Sequence, residues 1–243
     1  MNKEFTSVDG EAVAVLNNLS LTTKEGGSIC ILGASGSGKT TLLNIISGLE
    51  SYTGKLEFRE RDKPVSRSDV RLGRVFQEHR LLPWATIFEN IQLVLHGRAT
   101  DKKLEPEKIR KYLELVGLWD VKHYYPNQLS GGMQQRVALA RAFAIEPGLL
   151  LMDEPFNSLD NSLAKRLSVD LLRLWEHSGK TIIFVTHSIL EALFLGDKIL
   201  VLDKNTGSFS NEWNNPLPRP RDYRSPELYQ LYLKLMTEMD SAP

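Results

Sequence analysis

Along the chain, short runs of aliphatic and β-branched residues alternate with longer stretches in which apolar side chains recur every three to four positions. The short runs predict strands at residues 28–32, 74–76, 149–152, 181–185 and 198–202, mostly apolar over three to five positions, as strands covered on both faces are. The longer stretches predict helices at residues 87–95, 105–116 and 134–145, with a further helix opening at Thr41. Strands that alternate with helices in this way predict an α/β fold with a mainly parallel sheet. Between Trp84 and Ile145 the pattern is helical without an intervening strand, which predicts an α-helical subdomain at about residues 84–146 inserted into the sheet-bearing part. The division expected is a domain over residues 1–215 and a tail over 216–243. In that tail, Leu217-Pro218-Arg219-Pro220-Arg221 reads as an extended, solvated connector. It is followed by a short helix with an apolar stripe of Leu228, Leu231, Tyr232, Leu235 and Met239.

Three of the predicted strands end in residues that can do chemistry, and ligands of open α/β sheets gather at those carboxyl ends. After residue 32 come Gly33, Ala34, Ser35, Gly36, Ser37, Gly38, Lys39 and Thr40, a phosphate-binding loop between a strand and a helix. Its glycines let successive backbone N–H groups point at one anion, Lys39 adds a mobile positive charge, and Thr40 offers a hydroxyl to Mg²⁺. Such a loop binds ATP or GTP. Asp153 and Glu154 follow the apolar run that ends at Met152, where one carboxylate can hold Mg²⁺ and the next can polarise water. Thr186 and His187 follow Val185. A third element, Ser130-Gly131-Gly132, opens an alanine-rich helix, with Ser130 placed as its N-cap and the bare N–H groups of the first turn making a second anion site.

Composition narrows the class. The 243 residues, 42% hydrophobic and 25% charged, are those of an ordinary globular protein with a real core. Lys and Arg together number 30, as do Asp and Glu, so no basic field points to a nucleic acid partner. No apolar stretch reaches the roughly 18 residues of a membrane span, and the polar start Met1-Asn2-Lys3-Glu4 is no secretory signal, so a cytoplasmic protein is expected. The single cysteine, Cys30, sits in the apolar run before the loop and reads as a small buried residue.

Loop, Ser-Gly-Gly helix start and acidic strand end, in this order along the chain, resemble the ATPases of ABC transporters over essentially the whole chain. The resemblance implies a P-loop NTPase core with an N-terminal antiparallel β portion and the inserted helical subdomain. It also implies ATP and Mg²⁺ as cofactors, and a homodimer in which each ATP lies between loop 33–40 of one copy and Ser130, Gly131 and Gly132 of the other. Thr41 is grouped with the nucleotide-binding positions. Thr40, Asp153 and Gln77, in Phe76-Gln77-Glu78, would serve Mg²⁺; Lys39, Glu154 and His187 would be catalytic. Asp160, in Asn157-Ser158-Leu159-Asp160, would cross the dimer. Phe5 stands where an aromatic stacks on adenine, with core packing as the other reading, and Ser188 stands where an acidic residue is common. Leu81-Leu82-Pro83-Trp84 and Ser225-Pro226-Glu227-Leu228 are similar to segments of importer ATPases for nitrate, sulfonates and taurine. A peripheral subunit on the cytoplasmic face of the inner membrane is then expected, bound to transmembrane permease subunits and served indirectly by a solute-binding receptor. In that setting Leu81, Leu82 and Trp84 would meet the permease, unless Trp84 only staples the helical subdomain. An importer of another small solute, an ABC ATPase outside transport, and a nucleotide switch with little hydrolysis remain the alternatives.

Overall fold

A computed structural model describes residues 1–6, 10–96, 104–157, 159–176 and 179–240. Two compact units are built from interleaved segments: Met1–Val70, Leu151–Glu154 and Thr181–Pro243 form the first, Arg71–Leu150 and Pro155–Lys180 the second.

In the first unit β1 (Lys3–Thr6) and β2 (Ala12–Leu16) pair antiparallel. After β3 (Ser28–Leu32) and α1 (Lys39–Ser47) comes a small antiparallel hairpin, β4 (Phe58–Glu60) and β5 (Lys63–Val65). The second unit contributes β6 (Leu72–Val75), α2 (Ile87–Leu95), α3 (Glu105–Leu115) and α4 (Gly131–Ala144). The chain enters β7 (Leu149–Asp153) in the second unit, leaves it in the first, and forms α5 (Asn161–Glu176) in the second. The first unit is completed by β8 (Thr181–Thr186), α6 (Ile189–Leu195), β9 (Lys198–Leu202), β10 (Phe209–Asn214) and α7 (Pro226–Asp240). Its main sheet runs in the order β10-β9-β3-β8-β7. There β3 lies parallel to both β8 and β9, and β10 closes the edge antiparallel.

Every residue of β3, β7 and β8 is buried, which explains their unbroken apolar runs. Cys30, at the centre of β3, is fully buried; burial pushes its thiol well above the usual range, and the nearby Glu191 carboxylate adds to the rise. In the second unit α4 buries most of its surface through Val137, Ala138, Leu139, Ala140, Ala142, Phe143 and Ala144, and α2, α3 and α5 pack on it. Small alanines let those helices come close. Thr86 and Glu89 cap α2 reciprocally. Buried Asn90 then ties down the preceding loop: its amide donates to the carbonyls of Leu82 and Ala85 at 3.1 and 3.0 Å, and its oxygen accepts from the Leu82 N–H at 2.8 Å. On that fixed loop Trp84 is 74% exposed, so it does not act as a staple.

The tail departs from a solvated connector. Arg221 is buried; it donates to the carbonyls of Phe194 and Gly196 at 3.1 and 2.9 Å and pairs with Asp197 at 3.1 Å. Arg219 pairs with the same carboxylate. Arg221 satisfies carbonyls that the end of α6 leaves open, a task a sequence pattern does not reveal. Tyr223 stacks on Phe194, and α7 docks on α6 with Leu228 and Leu235 buried and Leu231, Tyr232 and Met239 partly so. Removing the guanidinium leaves the Phe194 carbonyl without its side-chain donor and takes from Asp197 one of its two arginine partners. Arg221→Ala is therefore expected to lose about 2–4 kcal/mol of stability, read as a lowered midpoint in urea unfolding.

Candidate functional site

The loop from Gly33 to Thr40 links the buried strand β3 to α1. Its turn depends on left-handed backbone at Gly36 and Gly38, with φ of 77° and 96°, which L side chains resist. Ala34, Ser35 and Gly36 are exposed at its crest, whereas Ser37 and Lys39 are buried. The Lys39 ammonium donates to the carbonyls of Gly33 and Ala34 at 2.9 and 2.8 Å, so its charge is held inside the curl of the loop. The Ser37 hydroxyl is buried without a hydrogen-bond partner among the described residues. The Thr40 hydroxyl donates to Asp153 Oδ1 at 3.0 Å, and Thr41 continues α1. The helix begins at Lys39 rather than Thr41, because Gly38 supplies the N-cap backbone. A buried ammonium, an unpaired hydroxyl and a helix start suit the phosphates of a nucleotide.

Beside the loop stands Glu154, one residue past β7, on left-handed backbone with φ of 43°. Its N–H donates to the carbonyl of Val185 in β8 at 3.0 Å, which fixes the carboxylate between the Lys39 ammonium and the His187 ring. Oε1 lies 3.4 Å from Lys39 Nζ, and Oε2 lies 3.4 Å from Nδ1 of His187, which follows β8 and is about half exposed. Below His187, the Thr186 hydroxyl donates to the Glu191 carboxylate at 2.6 Å, while Ser188 caps α6 by accepting from the Glu191 N–H at 3.3 Å. Burial raises the Glu191 pKa most, with a smaller rise from Glu154 and opposing contributions from Thr186 and His187. Thr186 and Glu191 belong to the site's support, and the residue types at Ser188 and Glu191, spaced as in a capping box, were its one sequence signal.

Phe5 lies on β1, 39% exposed, facing Val13 across the β1–β2 pair and with the Lys3 ammonium 4.5 Å from its ring centre. The other expected positions belong to the second unit. Gln77 is exposed on the loop after β6. Two residues on, the His79 ring hydrogen-bonds the backbone of Gly131, and Arg141 donates to the carbonyls of His79 and Arg80 at 2.8 Å each. Ser130 caps α4, accepting from the Met133 N–H at 3.3 Å. Among the described residues a β-carbon on Gly131 would meet nothing within 4 Å, whereas one on Gly132 would strike Leu163 Cδ2 at 2.2 Å. Gly131 thus leaves open space at the helix start, and Gly132 admits α5. Asp160 caps α5, accepting from the N–H groups of Ser162 and Leu163 at 3.0 Å each; Ser158, in the same segment, lies outside the described residues.

A family model described as ABC transporter matches residues 16–157. The chain is 36% identical to an aliphatic sulfonates import ATP-binding protein of Bacillus cereus over 99% of its own length and 94% of the relative's. To a taurine import ATP-binding protein of Pelagibacter ubique it is 39% identical, over 89% of this chain and 81% of the other. A solved dimeric ATP-binding cassette, in a post-hydrolysis state with ADP and Pi, superposes with a TM-score of 0.75 at 33% identity, covering 89% of this chain and 97% of that one. With a likeness that runs through sequence and fold alike, this protein belongs to the ABC transporter family and is one of its ATP-hydrolysing cassettes.

Proposed function

We propose that this chain is the ATPase subunit of an importer for a small anion such as a sulfonate, taurine or nitrate. The proposal takes the solute class from the sulfonate and taurine relatives and from the Leu81-Leu82-Pro83-Trp84 segment. The observation that carries the hydrolytic part is the Glu154 carboxylate, 3.4 Å from Lys39 on one side and 3.4 Å from His187 on the other.

Lys39 and the loop amides hold the triphosphate and offset its charge. Thr40 and Asp153 are adjacent oxygen donors of the kind that Mg²⁺ prefers, and they would hold it together with the phosphates. Among the described residues no cluster of three His, Cys, Asp or Glu side chains could hold a metal without such help. Mg²⁺ supplies further positive charge against the developing negative charge of phosphoryl transfer. Glu154 accepts a proton from the attacking water, and His187, with Nδ1 turned to Glu154, leaves Nε2 for the γ-phosphate. Phe5 is proposed to stack on the adenine. The second-unit residues take the roles that the family resemblance implies: Gln77 toward Mg²⁺, Ser130, Gly131 and Gly132 toward the nucleotide of a second copy, and Asp160 across that dimer.

In this reading two copies close on ATP, hydrolysis releases them, and the loop after β6 passes the motion to transmembrane permease subunits, which a solute-binding receptor supplies. The subunit then works on the cytoplasmic face of the cell membrane as a peripheral protein. Among the described residues no helix is long and apolar enough to cross a membrane. The exposed Trp84 with the half-buried Leu81 and Leu82, held by Asn90, is the surface offered to the permease.

Three variants test this. Glu154→Gln keeps the shape of the side chain but removes the base; it is expected to bind ATP, hydrolyse it at least ~10²-fold more slowly and accumulate as a dimer, read by phosphate release and size exclusion. Wild-type turnover in that variant would show that Glu154 is not the base. Lys39→Ala is expected to abolish nucleotide binding in equilibrium dialysis. Replacing Leu82 and Trp84 together by Ser is expected to reduce co-purification with the permease while ATP affinity stays within about twofold, since the apolar area removed lies away from the phosphate-binding loop in sequence and carries none of its groups.

A further inference from the structure

Between β9 and β10 the chain makes a turn that is fixed from within and on two sides. The Asp203 carboxylate accepts from the N–H groups of Asn205 and Thr206 at 2.6 and 3.1 Å, and the Asp203 and Gly207 backbones close the turn with bonds of 3.0 Å. On one side the Gly207 carbonyl accepts from the Asn17 N–H, just past β2, at 2.7 Å. On the other, the Leu202 carbonyl lies 2.7 Å from where a β-carbon on Gly33 would stand, so only glycine allows the phosphate-binding loop this close. Lys204 leaves this turn exposed to solvent and crosses the loop's crest, with Cε and Nζ each 3.8 Å from the β-carbon position of Gly36. Among the described residues its ammonium has no hydrogen-bond or ion-pair partner, whereas the Lys39 ammonium is already engaged by two carbonyls and Glu154.

We propose that Lys204 is a further nucleotide-binding residue, whose ammonium meets the phosphates of the nucleotide held by loop 33–40 of the same chain. The inference rests on the reading of that loop as an ATP site. A lysine on a flexible four-carbon stem is a strongly hydrated point charge that can follow a phosphate without dictating its geometry. Its turn is anchored, so the ammonium is kept near the crest while the stem stays mobile. The exposed crest at Ala34, Ser35 and Gly36 carries no other cationic side chain from the loop itself. An attraction of this kind, at a solvated site, weakens as salt rises.

The test is ATP and ADP titration of the purified full chain with Mg²⁺ by equilibrium dialysis, comparing wild type with Lys204→Arg, Lys204→Met and Lys204→Glu. Thermal melts serve as a check on folding, which substitutions of an exposed turn residue are expected to leave unchanged. Lys204→Met is expected to weaken both nucleotides about three- to tenfold, Lys204→Glu more, and Lys204→Arg less than twofold, with the gap narrowing in high salt. Equal affinities across the series, or a loss that ignores the sign of the charge, overturn the assignment. If the wild type fails to bind ATP, the parent reading of loop 33–40 falls instead, a result separate from equal binding by all four proteins.

Discussion

Glu154 carries its charge at the end of a strand in which every residue is buried, between the Lys39 ammonium and the His187 ring. That arrangement needs three things at once. The strands β3, β7 and β8 have to end side by side, which their unbroken apolar runs secure. The chain has to turn sharply at Glu154, which costs left-handed backbone at a residue other than glycine. The buried Lys39 side chain has to find partners for its polar end, which the Gly33 and Ala34 carbonyls and Glu154 provide. Hydrophobic packing far from the chemistry thus sets the distances at which the charges meet.

The second unit shows the same economy in its backbone. Adjacent glycines at the start of α4 answer to different constraints, Gly132 to the close approach of Leu163 and Gly131 to space that no described residue fills. His79 and Arg141 tie the segment after Gln77 to α4, so within this unit the loop and the helix start form one hydrogen-bonded assembly. Asn90 does similar work for the loop that bears Trp84. In each case a polar side chain satisfies backbone groups of an irregular segment and gives it a fixed shape.

Elements written in burial were legible in the sequence; elements written in pairing were not. Strands β3 and β9 and helix α2 lie at the residues their apolar patterns indicate, and β7 and β8 extend one residue further. The strand near residue 74 begins earlier, at Leu72, because Gly73 packs beneath Pro147 and Leu150 without contributing to an apolar run. Strands β1, β2, β4 and β5 are short and largely exposed, so no period marks them. Helix α4 starts at Gly131, ahead of its first good helix formers, since Ser130 caps it there. Among the chemical groups, the loop, Asp153, Glu154 and His187 stand together in the first unit as their strand-end positions indicate. The support from Thr186 and Glu191 is local and showed only in the capping-box spacing of Ser188 and Glu191, whereas the burial of Arg221 and the position of Lys204 depend on partners remote in sequence, which a one-dimensional pattern does not carry.

Cys30 is the chain's one cysteine, closed off at the centre of β3 with its thiol held protonated by burial. Maleimide and nitroxide reagents attack accessible thiolate, so the native protein offers them no target in its folded state. A cysteine introduced at a chosen surface position can accept a fluorophore or spin label without first stripping the natural one, and the motions of the nucleotide cycle can be followed in an otherwise unaltered background.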